Sequence, residues 1–177
     1  MKALFSGRRN VFLLIGFVLI VAFVVKARID QKEKEKALPS FEKSIETANT
    51  LLTADLRELH GSIPLPQAEG KYSELVHNFN AAVKDYHYKL IEYKDCQYKI
   101  SLMLYLTYFS LPPQAIYYCI NMKKEYYESL SKLKDAYRKA SKALDPTVKL
   151  ITMEKDGRLE VADKFLDEVE RRIGNKK

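Results

Sequence analysis

From Tyr72 to Leu104 the chain sets a packing residue at alternating spacings of four and three without a slip: Tyr72, Val76, Phe79, Val83, Tyr86, Leu90, Tyr93, Gln97, Ile100 and Leu104. Only an α-helix gathers such positions onto one stripe, and so long a stripe needs a second helical surface to cover it. Helix-on-helix packing is therefore the frame for everything else. Gln97 is the only polar member, and the tyrosines and Phe79 read as core rather than as a ligand box.

The remaining stretches conform. Ser40 reads as an N-cap, followed by Phe41, Ile45, Ala48, Leu52, Leu56 and Leu59 at helical spacing until Gly61, Pro64 and Pro66 interrupt. Pro112 and Pro113 end the second helix. Ile116, Ile120, Tyr126, Leu130, Leu133, Tyr137, Ala140 and Leu144 make the third. Asp145-Pro146 offers an N-cap and a first-turn proline for a fourth segment. Within it, two short helices broken at Gly157 are the favoured reading of "KLITMEKDGRLEV", and a hairpin turning at Asp156-Gly157 is the alternative. From Leu159 the pattern Leu159, Ala162, Leu166, Val169 and Ile173 is helical. With 6 Gly and 6 Pro in 177 residues, the class is all-α, and an antiparallel helical bundle of about four segments over 40–173 is predicted, with 174–177 a tail.

Ahead of the bundle lies "RRNVFLLIGFVLIVAFVVKAR". Val11, Phe12, Leu13, Leu14, Ile15, Phe17, Val18, Leu19, Ile20, Val21, Phe23, Val24 and Val25, with Gly16 and Ala22, form one uncharged apolar run. At about 1.5 Å per residue it covers about 22 Å, short of a ~30 Å hydrocarbon core unless Asn10 and the stem of Lys26 extend it. The expectation is a transmembrane signal anchor over 11–27, after a basic tail at 1–10 and before a charged stalk at 28–39. Cleavage after Ala27 is the rival, and a twin-arginine signal at Arg8-Arg9 a weaker one. Lys2, Arg8 and Arg9 precede the run, and Lys26, Arg28, Lys32, Lys34 and Lys36 follow it. That count alone keeps the body in the cytoplasm. A short tail bearing an arginine pair is, however, hard to translocate, so the body is placed on the extracytoplasmic side of the cell envelope.

The formal charge of +7 points to nucleic acid until it is located. Residues 1–36 carry eight Lys/Arg against three acids, residues 37–144 fourteen against twelve, and 145–177 eight against eight. The excess surrounds the apolar run and the body is nearly neutral, which argues against nucleic acid as a partner.

Between Lys99 and Lys123 no charge occurs at all. With Gln97 and Leu104 at heptad position a and Tyr93 and Ile100 at d, the outer positions are polar at Glu74, His77 and Lys84. Beyond Ile100 they hold Leu102, Tyr105, Leu106, Tyr108 and Phe109, and the third helix opens with Ile116, Tyr117 and Tyr118. A helix apolar on every side is surrounded by something other than water. About eight surplus side chains at roughly 1.5–3 kcal/mol each forgo on the order of 10–20 kcal/mol if left wet. Two placements fit. The hairpin is a locally thick core wrapped by the fourth segment and the 61–69 loop, or it is a surface that meets a membrane or a protein. If the first helix rises and the second returns, the Pro-Pro tip arrives back at the membrane.

No reaction chemistry emerges. Glu74 and His77 have the Glu-x-x-His spacing of di-iron bundles but fall at outward positions, without a second copy. With an apex at Pro112, Cys96 and Cys119 would sit about 12 Å out of step, beyond the ~7 Å reach of a disulfide, and read as buried thiols. No catalytic residue, metal ligand or cofactor is assigned, and the chain reads as a non-enzyme. The expected role is a single-pass, membrane-anchored bundle that binds a membrane-associated protein, as a scaffold, accessory or inhibitor subunit. Its contact surface is Leu102, Tyr105, Leu106, Tyr108, Phe109, Ile116, Tyr117 and Tyr118. The alternative is a sensor or carrier of a lipid or other apolar ligand at the 100–120 hairpin.

Overall fold

The computed structural model describes residues 3–53, 61–106, 111–151 and 157–174, with side chains described from Ile15 onward and, in the last helix, from Ala162 to Ile173. Four helices make up the described chain: α1 (Ala3–Thr53), α2 (Ser73–Tyr105), α3 (Pro113–Leu144) and α4 (Gly157–Gly174). The described residues contain no strand.

The stripe of α2 is its buried face. Tyr72, Val76, Phe79, Val83, Tyr86, Leu90, Tyr93, Gln97 and Ile100 are all buried, and only Leu104, the last, emerges. Against it lies α3, with Ile120, Tyr126, Leu130, Leu133, Ala140 and Leu144 buried. The α2–α3 pair is antiparallel: Lys89 pairs with Glu125, Cys96 meets Cys119, and Asp85 faces Lys132. This hairpin is the spine of the molecule.

α1 joins the spine at its open end. Phe41 packs edge-on to Phe79 at 5.1 Å and lies over Tyr137 at 6.3 Å. Lower on α1, Asp30 accepts from the Tyr72 hydroxyl at 2.7 Å and pairs with Lys71. Those two contacts fix a direction. Moving from Asp30 to Phe41 on α1 is moving from Tyr72 to Phe79 on α2, so the two helices climb together. The expected antiparallel arrangement therefore holds for α2 with α3 but fails for α1 with α2. The reason is the 61–70 segment, which is not a tight turn. It descends alongside α1, where Gln67 accepts from the Ser40 hydroxyl at 3.1 Å, the Asn80 amide donates to the Pro66 carbonyl at 2.7 Å, and the Lys71 amide reaches Glu33 at 3.2 Å.

Three local expectations are corrected with it. Pro39 does not end a stalk, since one helix runs through it from Ala3 to Thr53. The lost backbone bond costs about 3 kcal/mol, offset by the complete burial of Ala37, Phe41, Ser44 and Ile45 around it. Ser40 is thus no N-cap but a tie to the descending segment. Asp145 caps the end of α3 instead of starting a new helix. It adopts φ 52°, ψ 63°, and its amide bonds Ser141 at 2.8 Å. Asp tolerates that left-handed conformation, and Pro146 prevents continuation. Residues 145–151 are consequently non-helical, so the first of the two short helices is absent there, and α4 begins at Gly157. Leu56, Leu59 and Asp156 lie outside the described residues.

α4 lies on the middle of the hairpin through Ala162 and Leu166, both fully buried. Tyr127–Asp163 and Lys123–Asp167 set it antiparallel to α3, so it climbs with α2.

Candidate docking surface

The α2–α3 turn comes earlier than the prolines imply. α2 stops at Tyr105, and Leu106 is already extended at φ −101°, ψ 101°. Pro112 and Pro113 do not terminate α2; they open α3, where a proline needs no amide partner. The Pro112 carbonyl accepts from Ala115 at 2.9 Å. Moving the apex down brings Cys96 and Cys119 level, with Cα atoms 5.5 Å apart, and they form a disulfide. The buried-thiol reading is thereby overturned. Its error was the position of the apex, not the geometry of the bridge. Both sulfurs are buried, and the bridge pins the two helices three turns below the tip.

Above the bridge the expected contact residues separate. Tyr105 is 91% exposed, and Leu104, Leu106, Tyr117 and Tyr118 are exposed to about half. Leu102 is half-buried, and Ile116 packs against the core. Tyr108 and Phe109 lie outside the described residues. The wrapping elements sit elsewhere, the 61–69 segment at the base and α4 on the middle. The thick-core placement therefore fails for the exposed five.

The apolar surface also reaches further down α2 than the uncharged stretch does. Tyr88, Asp95, Tyr98 and Tyr105 lie exposed along α2, with the half-buried Ile91 and Leu102 between them at spacings of three and four. Tyr88 and Tyr98 are 68% and 62% exposed. Asp95 is held by Lys99 at 2.6 Å. This second stripe could have been found by continuing the heptad count outward from the core. It was obscured because Lys and Glu alternate beside it.

The apolar part of α1 leaves the body at the Asp30 end, and the tip lies at the opposite end. By helix rise, Val25 is about 24 Å below the Phe41–Phe79 level and Tyr105 about 39 Å above it. Ile15 to Ile29 extend from the body with Phe17 and Phe23 67% and 73% exposed. Among the described residues no helix is long and apolar enough to cross a membrane, so the expected span finds no support there. Val11, Phe12, Leu13 and Leu14 lie in α1 with their side chains outside the described set.

A cluster of polar side chains lies where α4 meets the hairpin. Asp163 receives the hydroxyl of Tyr127 at 2.9 Å, the amide of Gln97 at 3.1 Å and the hydroxyl of Tyr93. Burial pushes its carboxyl up to about 6, and the neighbouring Asp167 adds to the rise. At the base, Asp30 is held below the ordinary carboxylate value by the Lys71 ammonium and then by Tyr72. Glu74 and His77 are both exposed, and no group of three His, Cys, Asp or Glu among the described residues could hold a metal. Compared with known proteins, the chain matches no family model, no curated protein and no solved structure.

Proposed function

We propose that the protein is a tethered binding module: the N-terminal part of α1 anchors it in a membrane, and the far tip of the α2–α3 hairpin docks a protein partner. The exposed tip carries this reading. Leu104, Tyr105, Leu106, Tyr117 and Tyr118 are apolar or aromatic, lie together at one end, and are left exposed by the described residues. Contiguous exposed apolar surface of this kind is rare on a monomer without a binding role, and tyrosine is the residue type that docking sites favour. The tether rests on the uncharged run from Val11 to Val25 and on the exposure of its described side chains all round the helix. The Cys96–Cys119 bridge favours an oxidising compartment, and so a body on the extracytoplasmic side. A scaffold, accessory or inhibitor subunit is the class of role that such a module fills.

A photo-crosslinking residue in place of Tyr105, compared with one in place of exposed Lys139 near the base, tests the proposal in intact cells. The expected result is a discrete protein adduct from position 105 and none from 139. Lipid adducts from position 105, or equal adducts from both, would contradict it.

A further inference from the structure

We propose that α4 is an acid-closed latch on the α2–α3 hairpin, held most tightly when the Asp163 side chain is a neutral carboxylic acid and loosened when it ionises. The geometry is that of a half-buried carboxyl whose donors among the described residues are all neutral. Tyr93 and Gln97 reach it from α2 and Tyr127 from α3. On α2, half-buried Lys94 beside Tyr93 is engaged in an interaction of its own, and on α3 Lys123 directs its ammonium elsewhere. Its ammonium donates to the backbone carbonyl of Asp163 at 3.1 Å and to the Asp167 carboxylate at 2.6 Å. On α4 itself the neighbouring charge is Asp167, which repels a second anion. Lys164 is exposed, and Lys124 is engaged with Glu170 one turn beyond. Tyr126 completes the setting from α3, its ring stacked on that of Tyr93 at 5.0 Å.

An ionised Asp163 is thus half-buried against tyrosines, with no paired cation among the described residues and beside a like charge. A protonated one keeps the packing and sheds the desolvated charge, while its own O–H then needs an acceptor. Gln97 suits both states, because its amide can donate to a carboxylate or, rotated, accept from an acid. In the geometry shown, the Gln97 carbonyl oxygen is buried with no hydrogen-bond partner among the described residues. The single polar position in the α2 stripe therefore belongs to the latch rather than to the hairpin's own packing.

Because the folded carboxyl titrates at about 6, above its ordinary value of 3.8, the stabilisation is full below the ordinary value and is lost as pH rises through about 6. α4 is then the element that loosens first on neutralisation, uncovering the Tyr93–Tyr126–Tyr127 cluster.

Amide hydrogen exchange of the full chain in detergent, corrected for intrinsic rates, reads this directly. Protection of α4 between Ala162 and Ile173 should fall about tenfold relative to α2 from about pH 5 to about pH 7.5. Asp163→Asn, a neutral mimic of the acid, should hold the acid level of protection across that range. Flat wild-type protection would overturn the latch. So would an unchanged pH response in Asp163→Asn, since another group would then be titrating.

Discussion

Phe41, Phe79 and Tyr137 come from three different helices and form an aromatic junction that ties α1 to the hairpin. Phe79 is fully buried, and truncating such a ring removes its transfer free energy and leaves a cavity. Phe79→Ala should therefore cost about 3–5 kcal/mol in denaturant unfolding. Tyr105→Ala, which removes a side chain that touches little, should stay within about 0.5 kcal/mol. A loss at Tyr105 comparable to that at Phe79 would mean that the tip is core. Gly70 is a second sensitive position. Its φ is +84°, and a Cβ there would collide with the Glu33 carboxylate that receives the Lys71 amide. Gly70→Ala should lose about 1 kcal/mol and weaken the attachment of the descending segment to α1.

Among the helices, the Cys96–Cys119 bridge has the clearest energetic signature. It closes a loop of 23 residues, for which a chain-entropy argument gives about 3 kcal/mol. Reduction, or the paired change to alanine, should lower unfolding stability by about that amount while far-UV helicity persists. No change on reduction would show that the bridge is not formed in solution. The bridge also shows where reading the sequence succeeded and where it stopped. The α2 stripe was legible to the residue, from Tyr72 through Ile100, because heptad spacing and burial on one face are the same physical statement. The turn was not. Two prolines mark a place where a helix cannot continue, yet they serve equally well as the first turn of the next helix, and spacing alone does not choose. The same ambiguity applied to Pro39 and to Asp145-Pro146, where packing on either side decided between a break, a continuation and a cap.

For the molecule as a whole, the uncharged gap between Lys99 and Lys123 was legible, whereas neither its exposure nor its position relative to the N-terminal apolar run was. Short links between amphipathic helices imply alternation of direction, and the 61–70 segment breaks that rule by descending alongside α1 in extended form. Its ties, Ser40 to Gln67 and Asn80 to Pro66, join residues 27 and 14 apart that no periodicity connects. The consequence bears on the proposed function. With α1 and α2 climbing together, an anchored chain holds its apolar tip about 60 Å from the end of its apolar run rather than pressing it back against the bilayer. The most direct measurement is fluorescence quenching in proteoliposomes by quenchers carried on lipid headgroups, with a fluorophore placed in turn at position 71 and at position 105. Strong quenching at 71 and none at 105 is the predicted result. Quenching at 105 would return the tip to the membrane and contradict the account.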